Sequence, residues 1–175
     1  MKLTTRELTI FSMLGALMYA SKILMEVAPN IHLLSMFTIV FTVVYRKKAL
    51  YPIYIYVLLN GLLCGFATWW IPYLYVWTVL WGIVMLLPKK LPPKIKPFIY
   101  MLICSAHGFL FGTLYAPAQA ILYGLDLKGM IAWIIAGFPF DCIHGISNFF
   151  TGILIVPLIS ILTMLENHTK NYSKA

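Results

Sequence analysis

Charged residues are scarce in this sequence of 175 residues, and acidic ones are the scarcest. Asp and Glu together number five, against thirteen Lys and Arg, and charged residues make up 10% of the chain. A soluble domain of this length keeps a large share of its area in water and needs a polar surface to cover it. With 62% hydrophobic residues and a mean hydropathy of +0.89, this chain has too little polar surface. The composition therefore predicts an integral membrane protein.

The sequence also lacks the short motifs that carry common enzyme chemistry. It contains no GxxxxGK[ST] phosphate loop, no HExxH, no GxSxG and no metal-spaced cluster of Cys and His. Its three cysteines (Cys64, Cys104, Cys142) lie in apolar runs without a CxxC pair, as small packing residues do. We expect no catalysis, no metal and no cofactor bound by this chain. An intramembrane protease or transferase that uses Asp141 and His144 stays open.

The apolar runs are continuous and approach the ~20 residues that a helix needs to cross a bilayer. Strands of a membrane β-barrel would alternate apolar and polar residues instead, so helices are favoured. We predict an all-α, six-helix membrane bundle that forms a single domain over residues 1–175. The predicted spans are 8–25, 32–45, 50–66, 71–87, 98–123 and 139–164, with a short interfacial helix around 128–137.

The basic residues test this count, because positive loops mark the cytoplasmic side of a membrane protein. Eleven of the thirteen lie before the first span, on alternating connections, or after the last span. The pattern predicts an even number of spans with both termini cytoplasmic, and it accounts for the net charge of +8 without nucleic acid. These eleven residues are Lys2, Arg6, Arg46, Lys47, Lys48, Lys89, Lys90, Lys94, Lys96, Lys170 and Lys174.

Most polar side chains at membrane depth fall at the opposite, outer ends of the predicted spans. Buried polar groups in membranes are costly and default to a functional hypothesis. We predict a substrate-binding site at this end. Its candidate residues are Glu26, Asn30 and His32 after the first span, Asn60 in the third, Trp69, Trp70 and Tyr73 in the turn before the fourth, Gln119 in the fifth, and Asp141, His144 and Asn148 opening the sixth.

Spacings of three and four place Asp141, His144 and Asn148 on one helical face. They could form a ligand site or its supporting hydrogen-bond network. Alternatively, Asp141 caps the start of the sixth helix while the other two bond to neighbouring helices. Both interpretations stay open, and they are compatible.

The aromatic turn before the fourth span also has two interpretations. Trp and Tyr gather at membrane interfaces in general. A flat small molecule would use the same ring faces as a lid. Nearby, Lys22 and Glu26 are four residues apart, which favours a pair along the helix, and His107 is predicted to bond between helices.

The first span carries a strip of small residues, Ser12, Ala16 and Ala20, with Gly15 beside it. Such strips allow close approach of another helix. The strip could pack inside the bundle or dock a partner, and we predict Ala16 and Ala20 as partner contacts.

In its length, its six predicted spans, the A-x-x-x-A of Ala16–Ala20 and the F-D-x-x-H-x-x-x-N of residues 140–148, the chain resembles the substrate-binding S components of energy-coupling factor (ECF) transporters. The resemblance implies a vitamin-like small-molecule ligand bound from outside, and a transmembrane T component that contacts Ala16 and Ala20. It also implies two ATPase subunits that use the ATP, which would account for the missing phosphate loop. The implied location is a bacterial or archaeal cell membrane, with the bilayer as the other partner. Besides the intramembrane enzyme, a small channel or structural subunit is the remaining alternative.

Overall fold

The computed structural model describes residues 3–172, with side chains up to His168. Lys2 and Lys174 lie outside the described residues, as does the side chain of Lys170. Within 3–172 all regular structure is helical. The helices are α1 (Thr5–Leu24), α2 (Leu34–Tyr45), α3 (Leu50–Cys64), α4 (Tyr73–Leu86), α5 (Lys96–Phe109), α6 (Phe111–Tyr123), α7 (Leu127–Thr151) and α8 (Ile155–Tyr172), with short 3-10 turns at Arg46–Ala49, Thr68–Trp70 and Gly152–Leu154.

Four helical stretches are long and apolar enough to cross a membrane: Thr5–Leu24, Thr68–Leu86, Lys96–Tyr123 and Leu127–His168. Large apolar side chains such as Ile135 point outward from them, as in a protein solvated by lipid. The chain thus has the helices of a membrane-embedded protein. With 12 and 15 residues, α2 and α3 are shorter than a full crossing. The count of six crossings and the cytoplasmic termini therefore stay predictions.

The short helix α2 forms the centre of the bundle. Every residue from Leu34 to Thr42 is buried, including the polar Ser35, Thr38 and Thr42. A helix that is buried on all sides needs no amphipathic pattern, and its sequence is apolar all round. It packs against α4 and α8, and α1 packs mainly against α3.

The prediction of one unbroken helix at 98–123 is wrong, because the structure divides it into α5 and α6 at Leu110. The stretch Lys96–Tyr123 as a whole is nevertheless long and apolar enough to cross a membrane. The Gly112 N–H points to the carboxylate of Asp141 on α7, at 3.0 Å from each oxygen. In a continuous helix this N–H would bond to the carbonyl four residues earlier. The Asp141 side chain on α7 therefore stabilises the break between α5 and α6 by accepting this N–H.

The start predicted for the sixth span at residue 139 is also wrong, as is the separate helix at 128–137. α7 begins at Leu127 and continues through Pro139 to Thr151. Its N-terminus is capped by Asp126, whose carboxylate accepts the Gly129 N–H at 2.7 Å. Asp141, His144 and Asn148 consequently lie inside the helix, and Asp141 does not cap its start. The helix gives way to a 3-10 turn at Gly152–Leu154, and α8 follows.

The first end of the bundle, named the basic end, joins the start of α1, the α2–α3 turn and α8. Arg6 pairs with Glu166 at 3.2 Å, the Tyr45 hydroxyl donates to Glu166 at 3.1 Å, and Lys48 pairs with Glu7. Several of the predicted loop cations thus gather at one end. At the other end, where α1 and α3 finish, Lys22 Nζ lies 3.8 Å from Cys64 Sγ.

Candidate ligand-binding site

Aromatic rings from six elements meet at the end opposite the basic end. Neighbouring ring centroids lie 4.3 to 6.5 Å apart, in direct contact. We call this group the aromatic cluster. It consists of His32 from the linker before α2, Tyr56 of α3, Tyr73 and Trp77 of α4, His107 of α5, Phe111 and Tyr115 of α6, and His144 of α7.

The helical period explains why these rings coincide. Tyr73 and Trp77 are one turn apart on α4, and Phe111 and Tyr115 are one turn apart on α6, so each pair shares a face. The two faces touch, with Trp77 and Phe111 centroids 5.9 Å apart. His144 on α7 completes the wall, 4.9 Å from Phe111.

The linker ring His32 lies over His144, with centroids 4.3 Å apart at 74°. The linker approaches α7 at Ser147, whose hydroxyl lies 3.2 Å from the Asn30 carbonyl and 2.9 Å from the His144 carbonyl and shares one proton between the two. Asn30 has a φ of 63°, a left-handed conformation that Asn tolerates better than most residues.

Five members of the cluster and its border carry buried polar atoms without a hydrogen-bond partner among the described residues. They are His32 Nδ1, Tyr56 OH, Asn60 Oδ1 and Nδ2, Trp77 Nε1 and His144 Nε2. Asn60 lies one helical turn after Tyr56, on the same face of α3. A buried donor or acceptor left unpaired costs about 1–3 kcal/mol. A concentration of such groups in one place is what a ligand site looks like when the ligand is not counted.

In contrast, His107 is fully bonded, and its bonds join three helices as predicted. Its Nε2 is 3.3 Å from the Val76 carbonyl, which can accept only, so Nε2 carries the proton. Its Nδ1 therefore accepts the Ser35 hydroxyl proton at 3.0 Å. The Ser35 oxygen in turn accepts from Asn148 Nδ2 at 3.1 Å, and the same amide donates to the Cys104 carbonyl at 3.1 Å. This network fixes α2, α4, α5 and α7 relative to one another without a charge.

Asp141 acts as a cap for another helix. Its carboxylate binds the Gly112 N–H in the first turn of α6, where an anion is favoured by the helix dipole. A Cβ on Gly112 would lie 2.4 Å from Asp141 Oδ2, so only glycine admits this approach. Because Phe111 precedes Gly112 directly, Asp141 also sets the position of a cluster ring.

Asn148 lies where α5 and α7 pack most closely. A Cβ on Gly108 would lie 2.8 Å from both Gly145 Cα and Asn148 Nδ2. Ser105 donates to the Gly145 carbonyl across the same contact at 2.9 Å. The predicted motif on α7 therefore divides its work: Asp141 and Asn148 hold neighbouring helices, and His144 faces the cluster.

The other predicted site residues lie around the cluster. The Trp69 carbonyl accepts from the Tyr115 hydroxyl, and Trp70 Nε1 donates to the Val57 carbonyl at 2.8 Å. Gln119 is buried one turn beyond Tyr115 on α6. Glu26 is exposed and pairs with Lys22 at 2.7 Å.

Sequence reasoning missed Tyr56, Trp77, Phe111 and Tyr115 as site residues, and Trp77 lies one turn after the predicted Tyr73 on α4. The signal was present, because each lies at a multiple of four from a predicted site residue. Tyr56 precedes Asn60 by four, and Phe111 and Tyr115 precede Gln119 by eight and four. Extending each polar position along its own helix face would have found them.

The small-residue strip on α1 divides between two faces. Gly15 is buried against α3, where an added Cβ would lie 2.5 Å from Ile55 Cγ2. Ser12, Ala16 and Ala20 are exposed on the outside of the bundle. Packing inside the bundle therefore uses Gly15, and the two predicted partner contacts are accessible.

Among the described residues, no group of three or more His, Cys, Asp and Glu side chains could hold a metal ion. Comparisons with protein-family models, curated proteins and solved structures give no match for this chain.

Proposed function

We propose that the protein is the substrate-binding S component of an ECF-type importer in a bacterial or archaeal cell membrane. It would capture a vitamin-like small molecule at the aromatic end. The observation that carries the proposal is the set of unpartnered polar atoms buried in the aromatic cluster, since a ligand would satisfy them and repay their cost. The resemblance of the α7 and α1 motifs to S components supports the same assignment.

The outward strip on α1 supports the partner half of the proposal. Ala16 and Ala20 present small side chains to the membrane, where a helix of the T component could approach closely. The chain carries no GxxxxGK[ST] loop, so two separate ATPase subunits would supply the energy.

Uptake and assembly test the proposal together. The gene would be co-expressed with the T component and ATPases of its source organism, and accumulation of labelled candidate vitamins measured with and without cellular ATP. We expect Ala16→Trp to abolish uptake and co-purification of the T component while ligand binding persists, because the added indole clashes only with the partner. Ile135→Trp, on an outward position of α7, is the matched control and should transport normally. Loss of ligand binding in Ala16→Trp, or uptake that does not depend on ATP, would contradict the proposal.

A further inference from the structure

The unpartnered atoms of the aromatic cluster define what a ligand must offer. Trp77 Nε1 can only donate, so the ligand needs at least one acceptor. The Asn60 amide has a free donor and a free acceptor, and an acceptor is satisfied only by a donor on the ligand. The Tyr56 hydroxyl and the two imidazole nitrogens, His32 Nδ1 and His144 Nε2, can take either role. The ligand must therefore carry at least one acceptor and at least one donor.

The charges near the cluster define what the ligand must lack. The carboxylate of Asp141 faces the Gly112 N–H in the first turn of α6, where the helix dipole already stabilises its charge. Lys22 is held by Glu26 at 2.7 Å, and these two charges cancel. A charged group buried among neutral rings would lose its hydration without gaining a counter-ion, which costs several kcal/mol. For a cation, attraction to the ring faces returns only about 2 kcal/mol of that cost. The cluster is built for an uncharged ligand.

The aromatic rings of the cluster define the shape of the ligand. The rings that carry or adjoin the unpartnered atoms lie 4.9 to 6.0 Å apart between centroids, and the faces of such rings favour contact with another flat π system. Two imidazoles could in principle suggest a metal ion as cargo. However, no third ligating side chain joins His32 and His144 among the described residues, and aromatic walls add nothing to metal affinity.

From these three observations we infer that the ligand is an uncharged, planar aromatic heterocycle with both a hydrogen-bond acceptor and a donor on its edge. This inference rests on the proposed function, because it specifies the ligand of that binding subunit. It excludes carboxylates, quaternary cations and metal ions as the high-affinity ligand.

Calorimetric titration of the detergent-purified protein tests the inference with probes that share one ring and differ in charge. Nicotinamide is uncharged, nicotinate is an anion and 1-methylnicotinamide is a cation. Further uncharged heterocycles (adenine, hypoxanthine, pyridoxine, riboflavin), further charged compounds (thiamine, pantothenate) and Zn²⁺ extend the panel. We expect the tightest binder to be an uncharged heterocycle, and its charged analogues to bind about 100-fold more weakly.

A pair of tryptophans on α4 gives the matched variants. Trp77→Phe removes the unpartnered indole N–H and should lower the affinity for the tightest-binding probe about tenfold. Trp81→Phe, one turn further, removes an N–H that donates to the Arg46 carbonyl at 3.1 Å and should leave affinity unchanged. If Trp77→Phe does not fold, Tyr56→Phe takes its place with the same expectation.

A charged probe or Zn²⁺ that binds as tightly as any uncharged heterocycle would overturn the inference, as would a panel in which nothing binds. These failures are distinct from failure of the importer. A carboxylate that is bound and taken up with ATP would refute the ligand class and leave the importer standing. An uncharged heterocycle that binds without ATP-driven uptake would refute the importer and leave the ligand class standing.

Discussion

Two tyrosines on one turn of α3 separate ligand binding from stability. The Tyr54 hydroxyl donates to the Leu74 carbonyl at 2.7 Å and accepts from Thr78 at 2.7 Å, so it joins α3 to α4. The Tyr56 hydroxyl is buried in the aromatic cluster without a partner among the described residues. The same substitution, Tyr to Phe, therefore removes a hydrogen-bonded hydroxyl at position 54 and an unsatisfied hydroxyl at position 56.

The expected changes in stability have opposite signs. Tyr54→Phe should lower the free energy of unfolding by about 0.6–1.7 kcal/mol, the range for interhelical hydrogen bonds in membrane proteins. Tyr56→Phe should raise that of the empty protein by about 1 kcal/mol, because a buried unpaired hydroxyl is removed. The same substitution should also lower the affinity for the ligand about fivefold to tenfold, since the hydrogen bond between the ligand and the Tyr56 hydroxyl is lost.

Reversible unfolding in mixed detergent gives the stabilities, and calorimetry with the tightest-binding probe gives the affinities. Tyr54→Phe is the control for the loss of a hydroxyl from α3 and should bind the ligand normally. If Tyr56→Phe destabilises the empty protein as much as Tyr54→Phe does, then the Tyr56 hydroxyl has a partner inside the folded chain. The reasoning from unsatisfied atoms would then fail.

Three further substitutions test how the bundle is held together. Asp141→Asn should cost about 1–2 kcal/mol and speed hydrogen exchange of the Gly112 amide, because the charge at the start of α6 is lost; an unchanged exchange rate would refute the cap. Ser35→Ala should cost about 1–2 kcal/mol in unfolding experiments, since it removes the donor to His107 and one acceptor of Asn148; no loss would argue against the network. Gly15→Ala should lower thermal stability through its clash with α3, where the Cβ would lie 2.9 Å from a backbone oxygen; normal stability would show that the two helices separate easily.

The class of protein could be predicted from composition, because apolar content and the length of apolar runs are properties of the sequence alone. The helix bounds could be predicted where local signals decide them, as at Tyr45 before the basic turn. They could not be predicted at Leu110, where the cause is the carboxylate of Asp141, which lies 29 residues after Gly112 along the chain. The sequences of α5 and α6 do not predict that Asp141 will accept a hydrogen bond from the Gly112 N–H.

The candidate site shows the same division. The spacing of Asp141, His144 and Asn148 correctly placed them on one face of a helix. It could not say that the Asp141 carboxylate bonds to α6 and the Asn148 amide N–H groups to α2 and α5. Nor could it say that His144 Nε2 and Asn148 Oδ1 are left without a partner among the described residues. Those roles depend on which helices pack on that face, and packing is set by the whole chain.

Native mass spectrometry of the protein purified gently from its own membrane tests the central claim most directly. A substrate-binding subunit with a site full of unsatisfied polar atoms should retain one small molecule per chain, whose mass identifies it. The account predicts this 1:1 adduct, and it predicts that the same small molecule binds more weakly to the Tyr56→Phe variant. A protein that carries only lipid, both as purified and after incubation with the small-molecule fraction of its cells, would contradict the claim that the aromatic cluster is a ligand site.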